Sequence, residues 1–174
     1  MHIFNFIRKE MLDFFEPGAG FIMSDPGWQL ADKTLDEINP ILSRLDAFIP
    51  SETELRSLIP STGLTDGLAI LSKHCPGIVA VKLGMEGVLI WDRKNKNTIK
   101  IPCIPTEAID PTGAGDSFCG GFLAGFIETE DPVMAAQFGT ISASKIVTNF
   151  GADTCLPFDT NIARENLKKV YDFY

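Results

Sequence analysis

The stretch Asp110-Pro111-Thr112-Gly113-Ala114-Gly115-Asp116 holds the residues of this sequence best suited to chemistry. Gly113 and Gly115 let the main chain turn its N–H groups outward and let a ligand approach with no Cβ in the way. A helix follows, with Phe118, Phe122 and Phe126 at i, i+4 and i+8. Outward amides in front of a helix N-terminus make an anion site suited to a transferring phosphoryl group. Asp116 falls in the first turn of that helix, where the dipole favours a negative charge. A carboxylate there can orient a hydroxyl and accept its proton late, since a loose phosphoryl-transfer transition state needs only a weak, well-placed base. A glycine-rich turn with Asp116 as a helix cap accounts for the same residues with no ligand at all. Two other nucleotide motifs fail on residues. A dinucleotide fingerprint needs its third glycine where Phe118 stands, and a P-loop needs Lys and then Ser or Thr where Asp116-Ser117 stands.

Strands alternating with helices must carry this turn. Ile3, Ile7, Met11 and Phe14 or Phe15 recur at helical spacing, so an amphipathic helix is expected up to the breaker Glu16-Pro17-Gly18-Ala19-Gly20. Phe21 to Ser24 is a short strand closed by Asp25-Pro26-Gly27. Leu35, Ile38, Ile41, Leu42 and Leu45 form a helical stripe, with Pro40 as a break or restart. Ala47 to Ile49 is a strand, Ser51 opens a short helix, and Thr65 to His74 form another, stopped by Pro76-Gly77. Ile78 to Leu83 is the clearest strand; Val88 to Trp91, a polar turn from Arg93 to Asn97 and Thr98 to Ile101 read as a hairpin. Asp131-Pro132 is an N-cap with proline at the first helical position, opening a long helix to about Val147, and Thr160 caps a last one. The pattern predicts one α/β domain over residues 1–174, a mostly parallel sheet with an inserted antiparallel hairpin.

Composition bounds the partners. The 174 residues are 45% hydrophobic and 22% charged, enough to bury one core and too apolar for disorder. No apolar run reaches the roughly 18 residues of a membrane span. With 15 Lys+Arg against 23 Asp+Glu, nucleic acid and anionic membranes are poor partners, so an anion must be held by local backbone dipoles. Cys75, Cys103, Cys119 and Cys155 are scattered, with only His2 and His74 to help them, which suits neither a zinc site nor a redox motif. Two disulfides are possible by number but are not needed by a core of this size. No small-residue cleavage site follows the apolar N-terminus, so a cytoplasmic protein is expected.

Asp110 to Leu123, D-P-T-G-A-G-D-S-F-C-G-G-F-L, resembles the C-terminal signature of the ribokinase-like (PfkB) carbohydrate kinases. Its neighbours follow the family's order. Phe21 to Pro26 resembles a strand ending in an Asp-Pro turn, Asp46 to Glu54 the strand leading to an N-x-x-E motif, and Val79 to Gly87 the V-x-T/K-x-G-x-x-G nucleotide strand. The resemblance runs from about Phe21 to Pro157. It implies a three-layer αβα fold and an ATP-dependent transfer of the γ-phosphoryl group to a hydroxyl of a sugar or other small molecule. It makes Asp116 the catalytic base and the amides of Gly113, Ala114 and Gly115 the anion hole. It places Ser51, Lys82, Gly84 and Gly87 along the nucleotide, and Glu54 with Mg²⁺ and its waters. Some members also use a monovalent cation such as K⁺, for which Asp110 and Thr112 are the candidates.

Plain readings stand beside these. Ser51-Glu52-Thr53-Glu54 is a capping box, which explains Ser51 and Glu54 without a metal. Gly84 is also a turn glycine. By family analogy the small-residue face of the long helix, with Ala136, Gly139, Ala143 and also Asn149, lies near the adenine, and close helix packing explains the same alanines equally.

Ser51 replaces the family's Asn, and Gly27 stands where many members carry Asn. The family's first strands, its Gly-Gly signature and its β lid have no counterpart in the chain. The expectation is therefore a nucleotide-binding half: a piece of a longer kinase, a truncated product, or a half-size protein that completes its sheet with a partner. An exposed sheet edge would then favour homo-oligomers. A catalytically silent nucleotide-binding or assembly module is the alternative function. A dinucleotide-dependent oxidoreductase is a third, which Phe118 disfavours.

Overall fold

Six strands hydrogen-bond in the order in which they occur along the chain: β1 (His2–Phe4), β2 (Ile22–Ser24), β3 (Ala47–Phe48), β4 (Ile78–Lys82), β5 (Val88–Asp92) and β6 (Asn97–Ile101). The computed structural model describes residues 2–4, 20–30, 32–60, 62–151, 161 and 164–165. β1 to β4 run parallel, with Met23 opposite Ala47 and Ala47 opposite Ile78. β5 follows β4 after residues 83–87, and β6 follows β5 after residues 93–96. Parallel neighbours need a crossover of a dozen or more residues, so both of these strands turn back antiparallel. A mostly parallel sheet that ends in an antiparallel hairpin is the α/β arrangement expected.

Between β2 and β3 lie a short 3₁₀ turn, Gly27–Leu30, and helix α1 (Leu35–Leu42). Between β3 and β4 lie α2 (Glu52–Leu58) and α3 (Leu64–His74); after β6 come α4 (Ala114–Thr129) and α5 (Pro132–Ile146). The chain groups into two compact units: Met1–Leu83 with Leu89–Lys100, and Gly84–Val88 with Ile101–Tyr174. The first unit carries the parallel strands and a core of Leu42, Leu45, Phe48, Leu55, Leu68, Leu71, Val79 and Val81, all buried. Val79, Ala80 and Val81 are buried in succession, as a parallel strand covered on both faces requires.

Two expectations need correction. His2–Phe4 pair with Ile22–Ser24 as a strand, so the expected opening helix does not include them, and residues 5–19 lie outside the described residues. Three apolar-flanked residues fit either period, and it is the partner strand that selects β here. Pro40 does not break its helix either: α1 runs through it to a Ser43 cap whose amide reaches Asn39 O. Pro40 lacks one i→i−4 donor, but it is exposed, so water can meet the carbonyl left over. The helix is anchored at its other end, where Thr34 and Glu37 close a capping box. The Thr160 cap lies outside the described residues.

In the second unit, α4 and α5 pack without room for a methyl group. A Cβ on Gly121 would stand 2.7 Å from Phe138 O, and one on Gly139 2.7 Å from the Phe118 ring. Ser117 and Ser142 share a hydroxyl hydrogen bond of 2.8 Å across the same seam. Close packing is thus the visible reason for Gly139. Cys75, Cys103 and Cys119 are free thiols, and burial pushes the Cys75 thiol up to about 11, which keeps it protonated and unreactive. Cys155 lies outside the described residues.

Candidate functional site

The Gly113 turn is built from both of its ends. The amides of Ile109 and Asp110 donate to Val147 O, just past α5, at 2.7 and 3.2 Å. Asp110 then uses both carboxylate oxygens: Oδ1 accepts the Thr112 amide at 2.9 Å and Oδ2 the Gly151 amide at 3.1 Å. The Thr112 hydroxyl and amide, and then the Gly151 amide, hold this carboxyl below the usual aspartate value. Asp110 therefore staples the turn to the segment that follows α5.

Gly113 is the N-cap of α4, at φ 79° and ψ 0°, a left-handed conformation that explains the glycine. It brings no side-chain cap, so the first amides of α4 are not covered by a side chain of the cap residue. The three amides expected to form the anion hole differ. Ala114 N–H already donates to Pro111 O at 3.1 Å. Among the described residues, no acceptor meets the amides of Gly113 and Gly115. Asp116 is the third residue of α4 and is exposed. This unit therefore brings Gly113, Ala114, Gly115 and Asp116 together at one helix end.

The first unit gathers a separate set at the carboxyl ends of its parallel strands, the edge at which open α/β sheets take their ligands. Asp25 follows β2, Ser51 lies just beyond β3, and Lys82 ends β4. Ser51 bridges to Lys82 in parallel register, and the Lys82 amide donates to Pro50 O at 2.9 Å. Ser51 caps α2, with its Oγ accepting the Glu54 amide at 3.3 Å and its own amide donating to Glu54 Oε2 at 2.6 Å. The capping box is formed, and Glu54 Oε1 takes no part in it. The Lys82 ammonium is paired with Asp25 Oδ2. From sequence alone, Asp25 reads as a turn residue. Its partner is 57 positions away, and only the strand register brings the two together.

Gly84 and Gly87 both have positive φ, 59° and 92°. A Cβ on Gly87 would stand 2.1 Å from Ile101 O, so close backbone approach demands this glycine. A Cβ on Gly84 would meet nothing within 4 Å, so that side of the turn is open. Among the described residues, no three metal-type side chains are gathered, and no helix is long and apolar enough to cross a membrane.

Comparison with known proteins adds to this geometry. The model of the pfkB family carbohydrate kinases matches residues 11–159. An uncharacterized sugar kinase of Archaeoglobus fulgidus is 30% identical over 163 residues, covering 90% of this chain and 64% of that protein. The nucleoside kinase of Methanocaldococcus jannaschii, a solved structure, superposes with a TM-score of 0.72 at 28% identity, over 87% of this chain and 49% of its own. The ribokinase of Arabidopsis thaliana, solved with ribose and ATP, gives a TM-score of 0.73 at 28% identity over the same shares. The chain thus spans less than two thirds of the curated relative and about half of each solved structure. On this match and this fold, the chain belongs to the PfkB family of carbohydrate kinases.

Proposed function

We propose that the chain is the nucleotide-binding and catalytic part of an ATP-dependent kinase acting on a hydroxyl of a sugar or nucleoside. The observation that carries this reading is the start of α4: a left-handed glycine cap with no capping side chain, two amides that meet no acceptor among the described residues, and a carboxylate at the third helical position. The names of the relatives narrow the acceptor class, since one is a nucleoside kinase and another was solved with ribose and ATP.

In the proposed reaction the substrate hydroxyl oxygen forms a bond to the γ-phosphorus while the bond to the β,γ-bridging oxygen breaks and ADP leaves. Asp116 orients the hydroxyl and takes its proton. The amides of Gly113 and Gly115, with the helix dipole, stabilise charge on the transferring group, and Ala114 N–H keeps the turn closed. Ser51, Gly84 and Gly87 shape the nucleotide contacts. ATP enters as its Mg²⁺ complex, which neutralises phosphate charge. Glu54, through the carboxylate oxygen left outside the cap, would help to hold that Mg²⁺, which would supply positive charge to the phosphates. The main-chain carbonyls of Asp110 and Thr112 are the candidates for K⁺ on the same reading.

Asp116→Asn is the direct test. It should lower turnover by about 10²–10⁴-fold while leaving ATP affinity nearly unchanged. An equally active variant would remove Asp116 from the chemistry. Mg·ATP binding with no phosphorylated product across a panel of sugars and nucleosides would favour a binding module instead.

A further inference from the structure

The Lys82–Asp25 pair has no part in the reaction as proposed, yet it is built into the same sheet edge. Both side chains are largely buried, 14% and 10% exposed. β3 lies between β2 and β4, so the two residues stand about two strand spacings apart, roughly 10 Å. The lysine stem must therefore cross the end of β3, where Ile49 and Pro50 are buried. That exit is tied on both sides: Ile49 N–H donates to Ser24 O at 3.0 Å, and Lys82 N–H to Pro50 O at 2.9 Å. The next residue is Ser51, which bridges to Lys82 and whose amide holds the Glu54 carboxylate at 2.6 Å. The ion pair and the start of α2, with Glu54, thus meet at the exit of β3.

Resting on the kinase reading, we propose that Asp25 and Lys82 are a positioning pair for the metal–nucleotide contact. They act as a clasp across β3 that holds Ser51 and Glu54 in place, and Lys82 works through Asp25 rather than as a phosphate ligand. Pulling the ammonium away to a phosphate would strip a largely buried carboxylate of this cation, a costly exchange.

The test compares Lys82→Met, Lys82→Arg and the double variant Asp25→Asn/Lys82→Met in the full chain. Calorimetry measures ATP binding with Mg²⁺ and, separately, in EDTA. Amide exchange is followed at Ser51, Glu54 and Leu55. Lys82→Met should weaken Mg·ATP binding about tenfold or more, as loss of a residue that orients a metal contact does, while ATP binding in EDTA stays within about twofold. The same variant should speed exchange at Ser51 and Glu54, and Lys82→Arg should restore both readouts. Replacing both charges of a buried pair is often tolerated, so the double variant repeats the measurement if the single one does not fold. An equal loss of ATP binding in EDTA would make Lys82 a phosphate ligand and overturn the proposal. So would unchanged exchange at Ser51 and Glu54 in a folded variant. If the unaltered chain binds no ATP, the kinase reading fails, and the exchange measurement still decides the clasp.

Discussion

Gly113 and Asp110 show how much of the candidate site rests on single residues. At φ 79° and ψ 0°, an L side chain at position 113 is strained by about 1–2 kcal/mol. Gly113→Ala should lose about that much stability, and Gly113→Asn less, because Asn visits the left-handed region more readily. Urea unfolding midpoints check the order, and an alanine variant as stable as its parent would refute the turn geometry. Asp110 makes a prediction about pH. Its carboxyl is held below its ordinary 3.8 by the Thr112 hydroxyl and amide and the Gly151 amide. A depressed folded value means that the stabilisation is complete above 3.8 and is lost as pH falls through the folded value. Protection of the Thr112 and Gly151 amides should therefore persist at neutral pH and fade only on the acid side. Asp110→Asn should lower that protection at neutral pH and remove its acid dependence; a variant with full protection at neutral pH would show that the staple is not electrostatic.

Elements here depend on contacts that differ in how visible they are to a sequence. β4 is legible because four apolar residues in succession leave no other period, and α5 because Asp131-Pro132 announces its start. α4 is legible from Phe118, Phe122 and Phe126, whose rings follow one another at 6.1 and 6.4 Å. Ser51 and Glu54 could be read as a capping box, and that contact is present. β1 could not be read, because three residues acquire a strand only through Ile22–Ser24. The Asp25–Lys82 pair depends on register between strands far apart in the chain. Arg93 is a third case: a residue in a polar turn whose guanidinium closes α3. Its Nη1 donates to Ser72 O at 2.7 Å and its Nη2 to Gly77 O at 2.6 Å, with a further bond to Cys75 O. These are carbonyls at or just past the end of α3, which the helix itself cannot pair. Arg93→Met should cost about 1 kcal/mol, a figure lowered for its exposure, and Arg93→Lys should recover only part because lysine has no fork. Thermal unfolding measures both, and an unchanged melting temperature in Arg93→Met would show the clamp to be idle. Gly139→Ala tests the α4–α5 seam in the same way: a Cβ 2.7 Å from the Phe118 ring forces repacking, for an expected loss of about 1–3 kcal/mol.

At the scale of the molecule, charge separates two ways of holding a polyphosphate. The chain carries a formal net charge of −8, and Mg·ATP is also anionic. A protein that gathers phosphate with a basic patch loses affinity as salt screens that attraction. Here the long-range term is repulsive, and the proposed contacts are fixed amides and a helix end that salt reaches poorly once ligand covers them. The screening length falls from about 14 Å near 0.05 M salt to about 6 Å near 0.3 M, so added salt weakens the repulsion more than the contacts. Affinity for Mg·ATP should therefore stay level or tighten by up to about threefold over that range, measured in choline chloride to keep monovalent metal ions constant. A loss of tenfold or more would show that lysines and arginines, not the Gly113 turn, carry the phosphate. Such a result would move the candidate site away from α4, and Asp116 would lose its claim to the role of base.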